Sequence, residues 1–219
     1  MSLNKNTVFI CQLNDDAIRI VKWRKDNFLP ELAGIEVENI LPQADDKNLL
    51  EKTASALKKL RFSGERVIIS LPRSKAACRY LKVPSKSPKE IENIVSLQAS
   101  TYLPYPAGEL ITGYQIISTD KQGYSHLNLI IVHRPLIERH LKIFKELKAN
   151  DLTIVLNSYG INNLYNYVYP DAGGAAMVID ADASQAEWIV TDDKKLVFSR
   201  SFKLNYPEAN WQGLFIEEF

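Results

Sequence analysis

Residues 67–117 read VIISLPRSKAACRYLKVPSKSPKEIENIVSLQASTYLPYPAGELITGYQII, and several local structural signals follow one another in this segment. The continuously apolar run Val67-Ile68-Ile69 predicts a buried strand, and a second strand is predicted at 76–83. Ser87-Pro88-Lys89-Glu90 predicts a helix start, because it combines a capping box with proline at the first helical position. The helix should end near Leu103, since a residue before proline disfavours helical backbone. This order of elements predicts a mixed α/β protein.

Upstream of this segment, the pattern predicts an antiparallel meander followed by a helix. Short apolar runs indicate strands at 7–13, 17–23 and 35–41, with a tight turn at Asn14-Asp15-Asp16. Apolar residues at helical spacing then predict a helix at 46–62. With the buried strand at 66–71, the order of this part of the chain is βββαβ.

Downstream of the segment, the pattern predicts an insertion that returns to the first lobe. The predicted elements are strands at 110–118 and 127–133, a helix at 135–149, a strand at 152–156 and a tyrosine-rich helix at 159–169. We expect 76–149 to form a lobe of its own. We also expect 152–156 to lie beside the opening meander, because the insertion begins and ends next to strands of the same sheet.

A second meander follows the boundary that Gly173-Gly174 indicates. Runs at 176–180, 186–191 and 195–202 repeat the opening order of three strands with an acidic first turn. Placing Ala186 on Ala17 also superimposes hydrophobic residues of the second strands. A duplicated, two-lobed fold would explain this recurrence, and so would chance similarity between amphipathic hairpins.

Composition indicates an ordinary globular protein. The 219 residues are 46% apolar and 24% charged, with a net charge of +1, which offers no large field for nucleic acid or an anionic membrane. The longest apolar runs fall short of the roughly 20 residues that a membrane-spanning helix needs. Cys11 and Cys78 each lie in an apolar stretch, which favours buried free thiols over a disulfide.

Catalytic and metal-binding patterns are missing from the sequence. The three histidines have no metal-ligand spacing with cysteines or carboxylates. Serines near turns lack the flanking glycines of a nucleophile elbow, and Gly173-Gly174 lacks the lysine of a phosphate-binding loop. We therefore predict no catalytic residue and no metal site.

The segment 67–117 resembles the corresponding part of the PilM family of type IV pilus assembly proteins. The shared features are Leu-Pro after a buried strand, a second strand that ends in proline, a glutamate-rich helix and the exit Tyr102-Leu103-Pro104-Tyr105-Pro106. The order of 129–147, 157–159 and 176–200 follows the same family. The resemblance implies an α/β, actin-like (ribonuclease H-like) fold, related to that of the cell-division protein FtsA.

The same resemblance implies lobe boundaries. We expect 1–75 to form the first part of lobe 1A, 76–150 an inserted α+β lobe 1C, and 151–172 the return to 1A. Residues 173–219 would form the start of a second actin-like lobe, 2A. The rest of 2A and all of lobe 2B, which supply the adenine pocket in this family, would lie beyond residue 219.

The phosphate-binding turns of the family are degenerate in this sequence. In the PilM family, ATP phosphates are held between two hairpin turns carrying Asp-x-Gly, where glycine lets the backbone approach the phosphates and aspartate positions a metal-bound water. The first turn lacks that aspartate and glycine, and the second has a carboxylate where glycine is expected. The positions concerned are Asn14, Asp15, Asp180, Asp182 and Ser184. We therefore expect no cofactor, with ATP and Mg²⁺ as the alternative.

The resemblance also implies a partner. PilM binds the N-terminal tail of the inner-membrane protein PilN between lobes 1A and 1C, so we expect an adaptor for a PilN-like tail at the cytoplasmic face of the inner membrane. A prolyl-tyrosyl turn supplies rigid apolar walls, and basic side chains can meet carbonyls or carboxylates. The predicted partner-binding residues are Arg73, Lys75, Arg79, Tyr80, Tyr102, Pro104 and Tyr105. The helix at 159–169 is a second candidate contact face, and a homo-oligomer stays open.

Two other functions stay open from the sequence. One is an actin-like ATPase that binds ATP despite its altered turns. The other is the cytoplasmic lobe of a type II secretion protein of the GspL type. Residues after 219 would discriminate best, because a 2B-like lobe there favours PilM and an apolar run of about 20 residues favours the secretion component.

Overall fold

The computed structural model describes residues 6–14, 16–25, 30–41, 44–181 and 185–204. The chain forms two compact units: Met1–Pro72 with Val132–Asn157, and Arg73–Ile131 with Ser158–Phe219. In chain order the helices and strands are β1 (Thr7–Leu13), β2 (Ala17–Lys25), β3 (Pro30–Asn39), α1 (Asp46–Lys59), β4 (Arg66–Leu71), β5 (Ala77–Val83), α2 (Pro88–Tyr102), β6 (Leu110–Thr119), β7 (Ser125–His133), α3 (Arg134–Glu146), β8 (Leu152–Leu156), α4 (Asn157–Val168), β9 (Ala175–Ala181), β10 (Gln185–Asp192) and β11 (Lys195–Lys203).

The first unit contains a five-stranded mixed sheet in the order β3-β2-β1-β4-β8. Strands β1 to β3 form the predicted antiparallel meander. Strand β4 lies parallel to β1, with Cys11 opposite Ile69, and β8 lies parallel to β4, with Ile69 opposite Ile154. The prediction that 152–156 joins the sheet of the opening meander is therefore confirmed.

The core of the first unit lies on one face of this sheet. Alternate residues of β1 are buried, which is the period-two pattern of a strand with one covered face. Phe9 and Cys11 pack in one cluster with Leu57 of α1 and with Phe144 of α3. Helix α1 begins where the sequence predicts, because the Asp45 side chain accepts a hydrogen bond of 2.8 Å from the backbone N–H of Asn48.

The position of helix α3 differs from the sequence-based expectation. The sequence pattern predicts 135–149 as part of the inserted lobe, whereas α3 belongs to the first unit. Its buried Ile143 and Phe144 fill the core of that unit. Arg139 also fixes the helix to the start of α1, since its Nε donates to Asp46 Oδ1 at 2.6 Å and its Nη2 to the Ala44 carbonyl at 3.0 Å.

The second unit contains two three-stranded sheets. One has the order β5-β7-β6 and is covered by α2, with Ile91 and Val95 packed on Leu127 and Leu129. Strand β5 thus stays out of the first sheet, as predicted. The capping box predicted at the start of α2 is wrong in detail. Ser87 makes no side-chain cap bond, and Glu90 instead accepts a hydrogen bond of 2.5 Å from Ser85 Oγ.

The other sheet of the second unit is the second meander, in the order β11-β10-β9. Helix α4 packs with this meander, although 151–172 is predicted to form the return of the first lobe. Buried polar contacts explain the difference. Ser158 Oγ donates to Ser199 Oγ at 3.2 Å, and Asn162 Nδ2 donates to the Lys194 carbonyl at 3.2 Å.

Candidate functional site

The seven predicted partner-binding residues all belong to the second unit. Arg73 and Lys75 lie on a single 3₁₀ turn just before β5, and Arg79 and Tyr80 lie on β5 itself. Tyr102 is the last residue of α2, and Pro104 and Tyr105 follow in the exposed exit. Residues separated by up to 32 positions in the sequence are therefore presented by one unit.

The strand part and the helix-exit part of this set are in contact. The Arg79 guanidinium lies 5.4 Å from the centre of the Tyr102 ring, within cation–π range. Tyr80 is 58% exposed, and its hydroxyl lies 2.7 Å from His126 Nδ1. Arg79 is itself exposed and donates from Nη1 to the Cys78 carbonyl at 2.9 Å. The result is an exposed patch of aromatic rings and a cation.

Arg73 has a different environment from Arg79. Its Nε donates to Ser199 Oγ at 2.8 Å, its Nη2 to the Ser199 carbonyl at 2.9 Å, and its Nη1 to the Ala76 carbonyl at 2.5 Å. The guanidinium therefore joins the turn before β5 to β11, a strand 126 residues further along the chain. Arg73 is a structural residue as well as a candidate contact.

A cleft of about 400 Å³ lies beside these residues within the second unit. This volume falls in the range of small-ligand pockets. Three of the predicted residues contribute to its walls, and sequence reasoning missed the others. The lining consists of Arg73, Cys78, Arg79, Tyr80, Asn128, Val197, Phe198, Ser199 and Arg200.

Two titratable groups near the cleft are held in their neutral forms. Cys78 is only half-buried, less than predicted, yet burial raises the pKa of its thiol and outweighs the opposite effect of the neighbouring Arg73 guanidinium. Burial likewise raises the pKa of Tyr159 to about 12. Neither group is activated as a nucleophile, since the thiolate is the reactive form of cysteine.

The predicted degenerate phosphate turns are described in part. Asn14 is buried, and its backbone N–H donates to the Ala17 carbonyl at 2.9 Å, so this group closes the hairpin. Asp180 is exposed on β9. Asp15, Asp182 and Ser184 lie outside the described residues. Within the described ranges, no group of three or more histidine, cysteine or acidic residues is arranged to hold a metal ion.

Comparison with known proteins identifies the family. The family model described as type IV pilus assembly protein PilM matches residues 33–205. The chain belongs to the PilM family. The match covers the patch around Arg79 and Tyr102 and the second meander, so the resemblance inferred from 67–117 is confirmed.

Solved structures show the fold of this PilM-family chain. A chain of a PilM–PilN type IV pilus biogenesis complex has 16% identity and a TM-score of 0.76, and the match covers 90% of this chain and 62% of that chain. A Bacteroides thetaiotaomicron protein with an actin-like ATPase fold and unknown function has 12% identity and a TM-score of 0.61, with coverages of 98% and 77%. The fold is therefore actin-like, as the sequence predicts.

A secretion protein shares this fold. The cytoplasmic domain of EpsL, an inner-membrane component of the type II secretion system of Vibrio cholerae, has 11% identity and a TM-score of 0.61, with coverages of 95% of this chain and 74% of that domain. No curated protein sequence matches the PilM-family chain. None of the helices in the described ranges is both long enough and apolar enough to span a membrane.

Proposed function

We propose that this PilM-family chain is an actin-like adaptor of a type IV pilus or related secretion machine, which binds the N-terminal tail of a PilN-like inner-membrane partner without catalysis. The contact between Arg79 and Tyr102 carries the proposal, because it joins the two parts of the predicted partner site into one exposed patch. Aromatic residues and arginine are the side chains enriched at protein interfaces. The adaptor would act at the cytoplasmic face of the inner membrane, where the tail of such a partner is exposed.

The edge position of β5 supports binding of an extended tail. In the described part of the chain, β5 pairs only with β7, so one side of the strand is a sheet edge. Such an edge presents backbone N–H and C=O groups that an incoming strand can pair with. Backbone pairing would provide affinity, and the patch of Tyr80, Tyr102 and Arg79 would provide specificity.

Reversing the charge of Arg79 tests this function. We expect Arg79→Glu to weaken binding of a fluorescently labelled partner tail by about tenfold or more, because a charge-assisted contact is lost and a repulsive one replaces it. The measurement is fluorescence anisotropy, with circular dichroism to show that the variant is folded. Lys121→Glu, on the exposed turn between β6 and β7, makes the same charge change within the same unit and should bind normally. Unchanged binding by a folded Arg79→Glu variant would place the partner site elsewhere, with α4 as the next candidate.

The degenerate phosphate turns support a role without catalysis. The Asn14 N–H is already bonded to the Ala17 carbonyl and is not offered to a ligand. In the second turn, Asp182 places a carboxylate where the family has glycine, and its charge would repel a phosphate. We therefore expect no heat of binding when Mg-ATP is titrated into the chain in an isothermal titration calorimeter. A known actin-like ATPase serves as the positive control, and micromolar binding to this chain would favour the ATPase alternative.

A further inference from the structure

The cleft beside the partner patch lies between the edges of two different sheets. Its walls include residues 78–80 of β5 and residues 197–200 of β11. Strand β5 is the edge of the sheet β5-β7-β6, and β11 is the edge of the sheet β11-β10-β9. Both strands belong to the second unit. The cleft is therefore bounded by two strand edges that are not paired with each other.

The base of the cleft is held in place by Arg73. Its guanidinium bridges the Ala76 carbonyl before β5 and the Ser199 carbonyl of β11. Asn128 of β7 adds a second link, because its Nδ2 donates to the Leu196 carbonyl at 2.6 Å. These bonds fix the separation of the two edges while leaving a space of about 400 Å³. A preformed space needs little reorganisation before it binds a ligand.

The charged side chains that line the cleft are all positive. Its walls contain three arginines, Arg73, Arg79 and Arg200, and no aspartate or glutamate. The hydrogen bonds of Arg73 and Arg79 go to carbonyls and a hydroxyl, which are neutral acceptors. The whole chain carries a net charge of only +1, so this concentration of cations is local. Arginine is the side chain best suited to hold a carboxylate, because its planar fork matches the two oxygens.

We propose that this cleft binds an extended acidic peptide segment, which pairs with the edge of β5 as an added strand and places a carboxylate against Arg79 and Arg200. The inference rests on the proposed adaptor function, because it specifies the chemistry of the tail that the adaptor recognises. The sheet edge formed by β5 accounts for an extended peptide backbone, and the arginines account for its negative charge. Tyr80 and Phe198 provide apolar contacts on either side, since both are exposed.

A pair of synthetic peptides tests the charge requirement. The first is a labelled heptapeptide of alternating threonine and valine around a central glutamate, and the second has glutamine in place of the glutamate. We expect the intact chain to bind the glutamate peptide about tenfold more tightly in fluorescence anisotropy, because a charge-assisted hydrogen bond is lost in the other. Arg79→Gln and Arg200→Gln should each remove this preference, whereas Arg24→Gln, at an exposed site in the first unit, should keep it. Equal binding of the two peptides would overturn the proposal.

Backbone pairing has its own test. Binding of the glutamate peptide should slow amide hydrogen exchange at 78–80, because strand addition protects edge N–H groups. A version of the peptide N-methylated at every second residue should bind at least about tenfold more weakly, since methylation removes the backbone donors. Inorganic phosphate at millimolar concentration should not displace the peptide. Displacement by phosphate, or an unchanged exchange pattern, would show a simple anion site and overturn the strand model.

Binding experiments with the partner tail distinguish this inference from the adaptor proposal. One possible result is that the tail binds and Arg79→Glu abolishes this binding, whereas replacing the acidic residues of the tail with amides leaves binding unchanged. The adaptor proposal would then stand and the inference would be wrong. If the glutamate heptapeptide binds the cleft and the tail does not, the acidic-peptide site stands and its assignment to a PilN-like partner is wrong.

Discussion

Replacing Phe144 with alanine is expected to lower the free energy of unfolding of the first unit by about 3–5 kcal/mol, the usual cost of removing a large buried aromatic side chain. Phe144 lies on α3, is fully buried, and packs in the same cluster as Phe9, Leu57 and Ile69. These residues come from three other elements of the unit. A cavity at this point would therefore loosen the contact between the helices and the sheet.

Trp23 can report on this unit alone. It lies on β2 of the first sheet, so a background in which Trp188 and Trp211 are replaced by phenylalanine makes it the single fluorophore. Urea unfolding of Phe144→Ala in this background gives the free-energy change. Glu138→Ala, at an exposed position of the same helix, is the matched control and should change stability by less than about 0.5 kcal/mol. A loss below about 1 kcal/mol for Phe144→Ala would show that α3 does not build this core.

Helix α3 shows what a local pattern can and cannot predict. Apolar residues at helical spacing correctly indicate a helix with one buried face over most of 135–149. The pattern does not say which sheet covers that face. Chain order suggested the inserted lobe, but the helix packs into the core of the first unit, which is built largely from segments more than 60 residues earlier. Tertiary packing between distant segments decides this and leaves no local signal.

Strand boundaries were predictable where the strand is bounded by local turn signals. The predicted bounds 7–13, 66–71 and 152–156 agree with the structure. Strand β3 begins at Pro30 instead of the predicted residue 35. Its pairing with β2 shifts register between Lys22 and Trp23, and Gly34 lets the strand continue past this irregularity. A Cβ at Gly34 would lie 2.7 Å from Leu60 Cδ2, so the missing side chain makes room for the close packing. The sequence shows the glycine but not the neighbour.

The repeated meander was predictable as a pattern, and its register was not. Both meanders form three-stranded antiparallel segments. In the first hairpin Leu13 lies opposite Ile18, and in the second Ala181 lies opposite Ala186. Ala186 therefore corresponds to Ile18, one residue from the sequence-based placement on Ala17. A shift of one residue exchanges the two faces of a strand, so hydrophobic content alone could not fix it.

Only some of the residues at the candidate site could be predicted from the sequence. Its predicted members all lie between 73 and 105, because the proline and tyrosine signals are local. Asn128, Ser199 and Arg200 were missed, although they line the same cleft. An arginine on a strand is ordinary in a sequence, and nothing near Arg200 points to a partner 120 residues earlier. The bonds of Arg73 to Ser199 are what bring the two segments together.

Arg73→Met is therefore expected to destabilise the second unit by about 3 kcal/mol, since several hydrogen bonds to a charged group are lost at once. Methionine keeps much of the length and apolar stem of arginine but has no donors. The carbonyl of Ser199, a residue only 7% exposed, would be left without these donors. Arg73→Lys should recover only part of the loss, because a single ammonium cannot reproduce the planar fork that reaches three acceptors.

Trp188 reports on this unit, because it is buried on β10 and its ring packs edge-on against Phe202 at 4.9 Å. Urea unfolding in a background with Trp23 and Trp211 replaced by phenylalanine would measure the effect. Arg79→Met is the matched control: Arg79 is exposed, and its contacts in the described structure are one hydrogen bond to the adjacent Cys78 carbonyl and the ring of Tyr102, so its loss should cost less than about 1 kcal/mol. Equal destabilisation by both substitutions, or none by either, would show that Arg73 does not tie β11 to β5. A large effect of Arg73→Met alone would establish that the Arg73 hydrogen bonds tie β11 to the turn before β5.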